Sequence, residues 1–187
     1  MIKLPSGKTY LDPAYLLEKL EIGPNMRVGS FGCGGEGFLT LQAAELVKPH
    51  GRVFAVDILK PNLSAIWSKA KLSGLDHIIR CVWSDLEIHG AAKKIKDESL
   101  DRGILANVLH QSKKQKNILR ECGRTLKEEG RLLIVEWKTA GLVFGPQEKF
   151  LVEKDRAIQL AAACGLALMD EFKAGAYHYG LVFTKIS

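Results

Sequence analysis

The chain has 187 residues, of which 47% are hydrophobic and 26% charged, a balance that suits one globular domain spanning 1–187. No apolar run approaches the roughly 18 residues of a membrane span, and no signal-peptide pattern is present, so a soluble, cytoplasmic protein is expected. A formal net charge of +6 admits a polyanionic partner, but the clusters Lys93-Lys94-Ile95-Lys96 and Lys113-Lys114-Gln115-Lys116 carry no interleaved aromatics and read more plainly as solvated helix faces.

Tyr10 to Leu20 predicts a short helix, with Asp12 as N-cap, Pro13 in the first turn and Leu16, Leu17 and Leu20 on one face. Gly23-Pro24-Asn25 turns into the stretch from Met26 to Asp57, around which the chain is organised. There Val28 and Phe31 mark a buried strand, Gly32-Cys33-Gly34-Gly35-Glu36-Gly37 a glycine turn, and Leu39 to Val47 a helix that Pro49-His50-Gly51 ends. Val53 to Val56 forms a second buried strand, closed by Asp57 about 20 residues after the last glycine. Two parallel strands joined this way make a right-handed unit. Glycines in such a turn let a ligand approach the backbone where a Cβ would block it. Free N–H groups at the start of the next helix offer a partly positive edge. An acid ending the second strand suits the two hydroxyls of a ribose, so an adenosine-type cofactor is predicted. Gly32, Gly34 and Gly37 also fit the dinucleotide pattern G-x-G-x-x-G, and at this point the kind of adenosine cofactor stays open.

Pro61 to Ser73 predicts a helix whose Leu63, Ile66, Trp67 and Ala70 pack on the sheet, with Gly74 as its stop. His77 to Trp83 is a third strand, ending at Ser84-Asp85-Leu86. Leu100 to Ala106 is a fourth, running into Asn107-Val108-Leu109-His110-Gln111. Ligands of open α/β sheets bind at such carboxyl ends, which makes Asp85 a site candidate beside its simpler role of starting a loop. Ser112 is read as the cap of a helix with Ile118, Leu119, Cys122 and Leu126 on one face. Glu128-Glu129-Gly130 turns into a fifth strand, Arg131 to Trp137. Lys138 to Pro146, with Gly141, Gly145 and Pro146, is a loop placed to act as a mobile cover. Glu153 to Cys164 is the last helix. Leu166 to Phe172 and Tyr177 to Ile186 pair as an antiparallel hairpin across a short link. Cys33, Cys81, Cys122 and Cys164 form no C-x-x-C pair and read as structural thiols; no metal site is expected.

This layout resembles the class I S-adenosylmethionine-dependent methyltransferases, and within them the small single-domain bacterial and archaeal group related to the quinone-biosynthesis enzymes. The resemblance runs from about Leu16 to Lys185. It rests on Val28 to Gly37, Gly51 to Asp57, Asn107-Val108-Leu109-His110, Leu119 to Trp137 and Tyr177 to Phe183. It implies a Rossmann-like three-layer α/β sandwich: a seven-stranded, mostly parallel sheet of order 3-2-1-4-5-7-6 with strand 7 antiparallel. It also implies S-adenosyl-L-methionine as cofactor and S-adenosyl-L-homocysteine as product. Carried onto this sequence, Gly32, Cys33, Gly34 and Gly37 line the methionine and ribose part, Asp57 binds the ribose, and Ile58 touches the adenine. Asp85 accepts from the adenine amino group beside Leu86, and Asn107 and Val108 pass the methionine end. The family usually places an acid where this chain has Ser30, so the charge that meets the cofactor's ammonium is missing unless Glu36 supplies it.

A sulfonium is already an activated methyl donor, so a base is needed only if the acceptor must lose a proton. His110, on the binding edge after strand four, is the candidate for that role; an ordinary hydrogen-bonded loop histidine is the plainer alternative. His178 and Tyr179 read as packing on a strand, while Tyr177 and Lys138 are placed to line an acceptor pocket. The expected function is methylation of a small molecule by a monomer or homodimer. An RNA or protein acceptor, or a non-catalytic cofactor-binding module, stands as the alternative, and a nicotinamide dehydrogenase fits Asp85 and the hairpin less well.

Overall fold

The computed structural model describes residues 11–140 and 145–186. Asp12 caps α1 (Pro13–Lys19), its Oδ1 accepting from the N–H of Ala14 at 3.0 Å and of Tyr15 at 3.4 Å. Proline fits this first turn because an unpaired N–H is lost there without penalty. Tyr10, the expected helix start, lies outside the described residues.

Apolar runs bounded by turns become the strands β1 (Arg27–Phe31), β2 (Arg52–Asp57), β3 (Ile79–Trp83), β4 (Leu100–Ala106), β5 (Leu126–Trp137), β6 (Leu166–Lys173) and β7 (His178–Lys185). The helices α2 (Phe38–Leu46), α3 (Lys60–Leu72), α4 (Gln115–Thr125) and α5 (Lys154–Ala162) connect them. The sheet order is β3-β2-β1-β4-β5-β7-β6, as the motifs implied. β1 pairs parallel with β2 and β4, β2 with β3, and β4 with β5, while β7 runs antiparallel between β5 and β6.

Strand side chains alternate between the two faces, so each strand feeds two cores. Leu132 and Ile134 of β5 join Phe31, Leu105, Leu119, Leu126 and Leu160 under α4 and α5. Leu133 and Val135 join Leu16, Leu17, Ala43, Val53 and Ile66 under α1, α2 and α3. Burial on both faces explains why β2 and β5 read as continuous apolar runs.

Four details differ from the sequence reading. Trp67 is 37% exposed rather than packed on the sheet; Leu63, Ile66 and Ala70 fill that stripe, and Lys71 Nζ lies 5.4 Å from the Trp67 ring centre. Leu126 opens β5 instead of closing α4. The Glu128-Glu129-Gly130 turn is absorbed into β5 as an irregularity, with Glu129 at φ +60° and a register shift opposite Leu100 and Arg102. Ser112 accepts the N–H of Lys114 at 2.8 Å, forming a turn ahead of α4 rather than its cap. The expected cover over Lys138–Pro146 falls largely on residues 141–144, Gly141 among them, outside the described residues. No helix among the described residues is long and apolar enough to cross a membrane.

Candidate functional site

β1, β2 and β4 end side by side at one edge of the sheet, and the chain leaves each in a tight turn. Gly32, Gly34 and Gly37 all have φ between +61° and +66°, the left-handed region that side chains disfavour. The reason for glycine differs between them. A Cβ on Gly32 or Gly37 would collide with Val108 or Ile66, so these two are fixed by packing. A Cβ on Gly34 would meet nothing within 4 Å. It would stand in open space, in the space shared by two cavities.

The first cavity, about 330 Å³, is lined by Ser30, Gly34, Glu36, Phe38, Ile104 and Asn107 among others. The second, about 350 Å³, is lined by Gly34, Asp57, Ile58, Asp85, Leu86 and Val108 among others. Gly32 and Gly34 border both. The two halves differ chemically. The first is walled mainly by apolar groups, with Leu11, Pro13, Phe31 and Leu39 completing it. The second carries three acids, Asp57 at the end of β2 and Asp85 and Glu87 just beyond β3.

Asp57 is only 6% exposed and holds the glycine turn. Its Oδ2 accepts from Gly34 N–H at 2.9 Å and from Asn62 Nδ2 at 3.2 Å, and its Oδ1 from Leu59 N–H at 2.8 Å. The Cys33 thiol also donates to Oδ2 at 3.9 Å, while Oδ1 carries one donor and keeps its second acceptor position for a hydroxyl. Asp85 uses Oδ1 to accept from Glu87 N–H at 2.8 Å and has its other oxygen unengaged among the described residues. Ile58 is 53% exposed at the rim, while Leu86 is 7% exposed and forms part of the floor.

Ser30 is 3% exposed, and its hydroxyl pairs with that of Thr40 at 2.9 Å. Glu36 lines the first cavity, with its Oε2 accepting from Lys69 Nζ at 2.9 Å and its side chain 74% exposed. Asn107, at φ +58° just past β4, has a buried Oδ1 with no hydrogen-bond partner among the described residues. Its carbonyl accepts from Gln111 Nε2 at 2.6 Å. Burial, aided by the charge of Asp57, pushes the Cys33 thiol up to about 12, so it is neither a nucleophile nor a ligand at neutral pH. Among the described residues no cluster of His, Cys, Asp and Glu is arranged to hold a metal ion.

His110 sits in a one-turn helix, Leu109–Gln111, and borders neither cavity. Its Nδ1 lies 2.9 Å from Oε2 of Glu136, which is fully buried in β5 and accepts Leu109 N–H at 2.6 Å through Oε1. The sequence reading missed Glu136, whose acid stands inside the apolar run of β5. An acid in such a run is the signal that could have found it. His178 packs on Trp137 with ring centres 4.2 Å apart; burial, then the charges of His110 and Lys138, push its pKa down to about 4. Tyr179 donates to the carbonyl of Val152 at 2.7 Å, a packing role as expected.

The described residues fit an adenosine-type cofactor on three counts. Gly34 borders both cavities with nothing within 4 Å of its Cβ position, acids line the second cavity, and Asn107, whose buried Oδ1 has no hydrogen-bond partner among the described residues, lines the first. Residues 30–134 match the family model described as a methyltransferase domain. No curated protein sequence matches the chain significantly. Among solved structures, the chain is similar to an S-adenosylmethionine-dependent methyltransferase from Aquifex aeolicus, with 20% identity, a TM-score of 0.83, and coverage of 94% of this chain and 90% of the other. It is also similar to a TehB-like methyltransferase from Corynebacterium glutamicum, with 19% identity, a TM-score of 0.67, and coverage of 96% and 90%. A third neighbour is geranyl diphosphate C-methyltransferase from Streptomyces coelicolor, with 12% identity, a TM-score of 0.74, and coverage of 93% and 78%. At these identities the neighbours establish the fold. The narrower kinship with quinone-biosynthesis enzymes rests on the sequence motifs alone.

Proposed function

We propose, from the premise that this chain belongs to the methyltransferase domain family, that it is an enzyme moving a methyl group from S-adenosylmethionine to a small, largely apolar acceptor. The observation that carries this reading is the pair of cavities meeting at Gly34. The acid-bearing half suits adenosine: Asp57 keeps one acceptor position for a ribose hydroxyl, and Asp85 keeps an oxygen for the adenine amino group. Ile58 and Leu86 flank the base. The other half suits the amino-acid end, with Asn107 Oδ1 as an acceptor for its ammonium.

The cofactor supplies an activated methyl on a sulfonium. What the chain must do is align an acceptor in line with it and keep water away. The first cavity is built for that. Phe31, Phe38, Leu39 and Ile104 offer an apolar wall, and its one ionisable group besides the Cys33 thiol, Glu36, is already paired to Lys69. Such walls select a neutral, apolar acceptor face. His110 is held by Glu136 through Nδ1, which leaves Nε2 as the basic nitrogen when the ring is neutral. In this reading His110, which borders neither cavity, assists loss of a proton only from an acceptor that reaches beyond the first cavity to its Nε2.

A thermal-shift comparison of S-adenosylhomocysteine, S-adenosylmethionine and NAD(H) tests the proposal. Ligand at a hundred times its dissociation constant adds about 2.7 kcal/mol, or roughly 5–10 °C for a domain of this size. A shift with the sulfur compounds alone is expected. A shift with NAD(H) alone, or with none of the three, overturns the reading.

A further inference from the structure

The two lysine clusters of the sequence come together on one side of the fold. Neither is a helix face. Lys93, Lys94 and Lys96 lie in the link between β3 and β4, and only Lys116 of the second cluster lies in α4. That link runs alongside α4. Glu87 accepts from the Ser112 hydroxyl at 2.6 Å, Glu121 takes the N–H groups of Gly90 and Ala92, and the carbonyl of Ile95 accepts from Arg124 at 3.2 Å.

Charge in this region is unbalanced. Residues 87–124 hold nine Lys and Arg against five Asp and Glu, so four of the chain's six net positive charges fall in this stretch. All five acids already have a cation. Glu87 pairs with Lys114, Asp97 and Glu121 with Arg124, Glu98 with Lys185, and Asp101 with Lys127. Lys93, Lys94, Lys96, Lys113, Lys116 and Arg120 are exposed, and none has an ion-pair partner among the described residues. Lys116 and Arg120 stand at i and i+4 of α4, a like-charge spacing that weakens a helix. Beside them, an open depression of about 430 Å³ is lined by Arg120, Arg124, Lys185 and His89, and by no acid.

The kind of partner follows from what this face lacks. From His89 to Arg124 no large apolar side chain is exposed. Protein interfaces are anchored by buried aromatic and aliphatic groups, and single strands by aromatic stacking. A duplex held by its phosphates needs only spaced cations. The 11 residues of α4 extend about 16 Å, the span of about five phosphates along one strand. We propose that this face docks a nucleic acid duplex through its phosphate backbone, without reading its sequence. The proposal goes beyond the cofactor reading and stands without it, since none of the six cations lines either cavity.

Fluorescence anisotropy with labelled RNA and DNA duplexes of about 20 base pairs, over a range of salt, tests it. With four to six phosphates engaged, log K is expected to fall against log salt with a slope of about −4 to −5. Two triple variants divide the face: Lys93→Gln with Lys94→Gln and Lys96→Gln, and Lys113→Gln with Lys116→Gln and Arg120→Gln. Each should flatten the slope by about 2–3 and weaken binding about tenfold at low salt, with the thermal shift given by S-adenosylhomocysteine unchanged. Lys48→Gln with Lys71→Gln and Lys173→Gln removes the same charge elsewhere and should keep the slope within about one of wild type. A wild-type protein that binds neither duplex at about 50 mM salt overturns the proposal. Equal flattening by the Lys48, Lys71 and Lys173 variant also overturns it, because that marks net charge and not a face. Tighter binding to phosphatidylserine vesicles or to polyglutamate than to either duplex assigns the face to a membrane or an acidic protein, and overturns it as well.

Discussion

Gly34→Ala separates the cradle from the fold. At φ +61° an alanine carries the left-handed penalty of about 1–2 kcal/mol, but its methyl meets nothing within 4 Å. For a domain of 150–250 residues each kcal/mol moves Tm by about 2–4 °C. Without ligand the variant is therefore expected to melt about 2–8 °C below wild type and to keep its far-ultraviolet dichroism. Gly34 borders both cavities, so a methyl there is expected to crowd a ligand that spans them and to abolish the stabilisation by S-adenosylhomocysteine. Gly37→Ala is the contrast. Its φ is also +61°, but its methyl overlaps Ile66 Cδ1, and overpacking adds about 1–3 kcal/mol to the backbone penalty. It should lose more stability than Gly34→Ala, and trimming the tip with Ile66→Val should recover part of the loss. Differential scanning fluorimetry with and without ligand reads all of these. A Gly34→Ala protein that keeps the full ligand shift would refute the cradle.

Two further outcomes follow from buried charge. The His178 pKa is pushed down from 6.5 to about 4, so between those values the unfolded chain binds a proton that the native state refuses. The contribution is present above pH 6.5 and is lost as pH falls towards 4, by about 2 kcal/mol between pH 7 and pH 5. Urea unfolding at the two pH values should show that difference in the wild type and a smaller one in His178→Phe; equal differences would exclude His178 as the source. Glu121, fully buried in α4, accepts from Gly90 N–H at 2.6 Å and Ala92 N–H at 3.0 Å and pairs with Arg124 at 2.7 Å. Burial opposes its charge, but Arg124 and the two N–H groups prevail and hold the carboxyl below its usual range. Glu121→Ala should therefore cost about 3–5 kcal/mol, measured by the same unfolding experiment.

The fold was legible because each local signal agreed with its neighbours. Apolar runs, glycine stops and the short link before β7 mark five alternating strands and a terminal hairpin, and the strand order that the family resemblance implies is the one observed. Errors fell where a residue's local pattern competes with tertiary packing. Leu126 continues the helical spacing of Ile118, Leu119 and Cys122, yet it opens the strand beside Leu100. Trp67 fits the stripe of α3, yet it is 37% exposed beside Lys71 while Leu63, Ile66 and Ala70 are buried. The site was legible where residues adjoin in sequence, as in the glycine turn and Asp57. It was illegible where partners come from distant elements. Lys69 lies 33 residues from Glu36, and Glu136 lies 26 residues from His110. No spacing rule joins either pair; only the crossover of the sheet does.

Ser30 is the point where sequence and structure together change the chemistry expected of the turn. An acid there would stand almost completely buried beside Thr40, and an isolated carboxylate in such a place is costly. The hydroxyl pair is neutral and mutually satisfied at 2.9 Å, so the fold has no need of a ligand to complete it. On the proposed cofactor reading, the ammonium then meets neutral dipoles rather than a charge. Asn107, held at φ +58° just past β4, brings a neutral amide to the wall of the first cavity. On that reading the first cavity meets the amino-acid end with neutral groups, Glu36 being paired to Lys69. Dipoles fixed in advance lose less on binding than mobile charged side chains. Binding organised in this way depends on the rigidity of the turn more than on net charge, and should vary less with salt than recognition by an exposed acid.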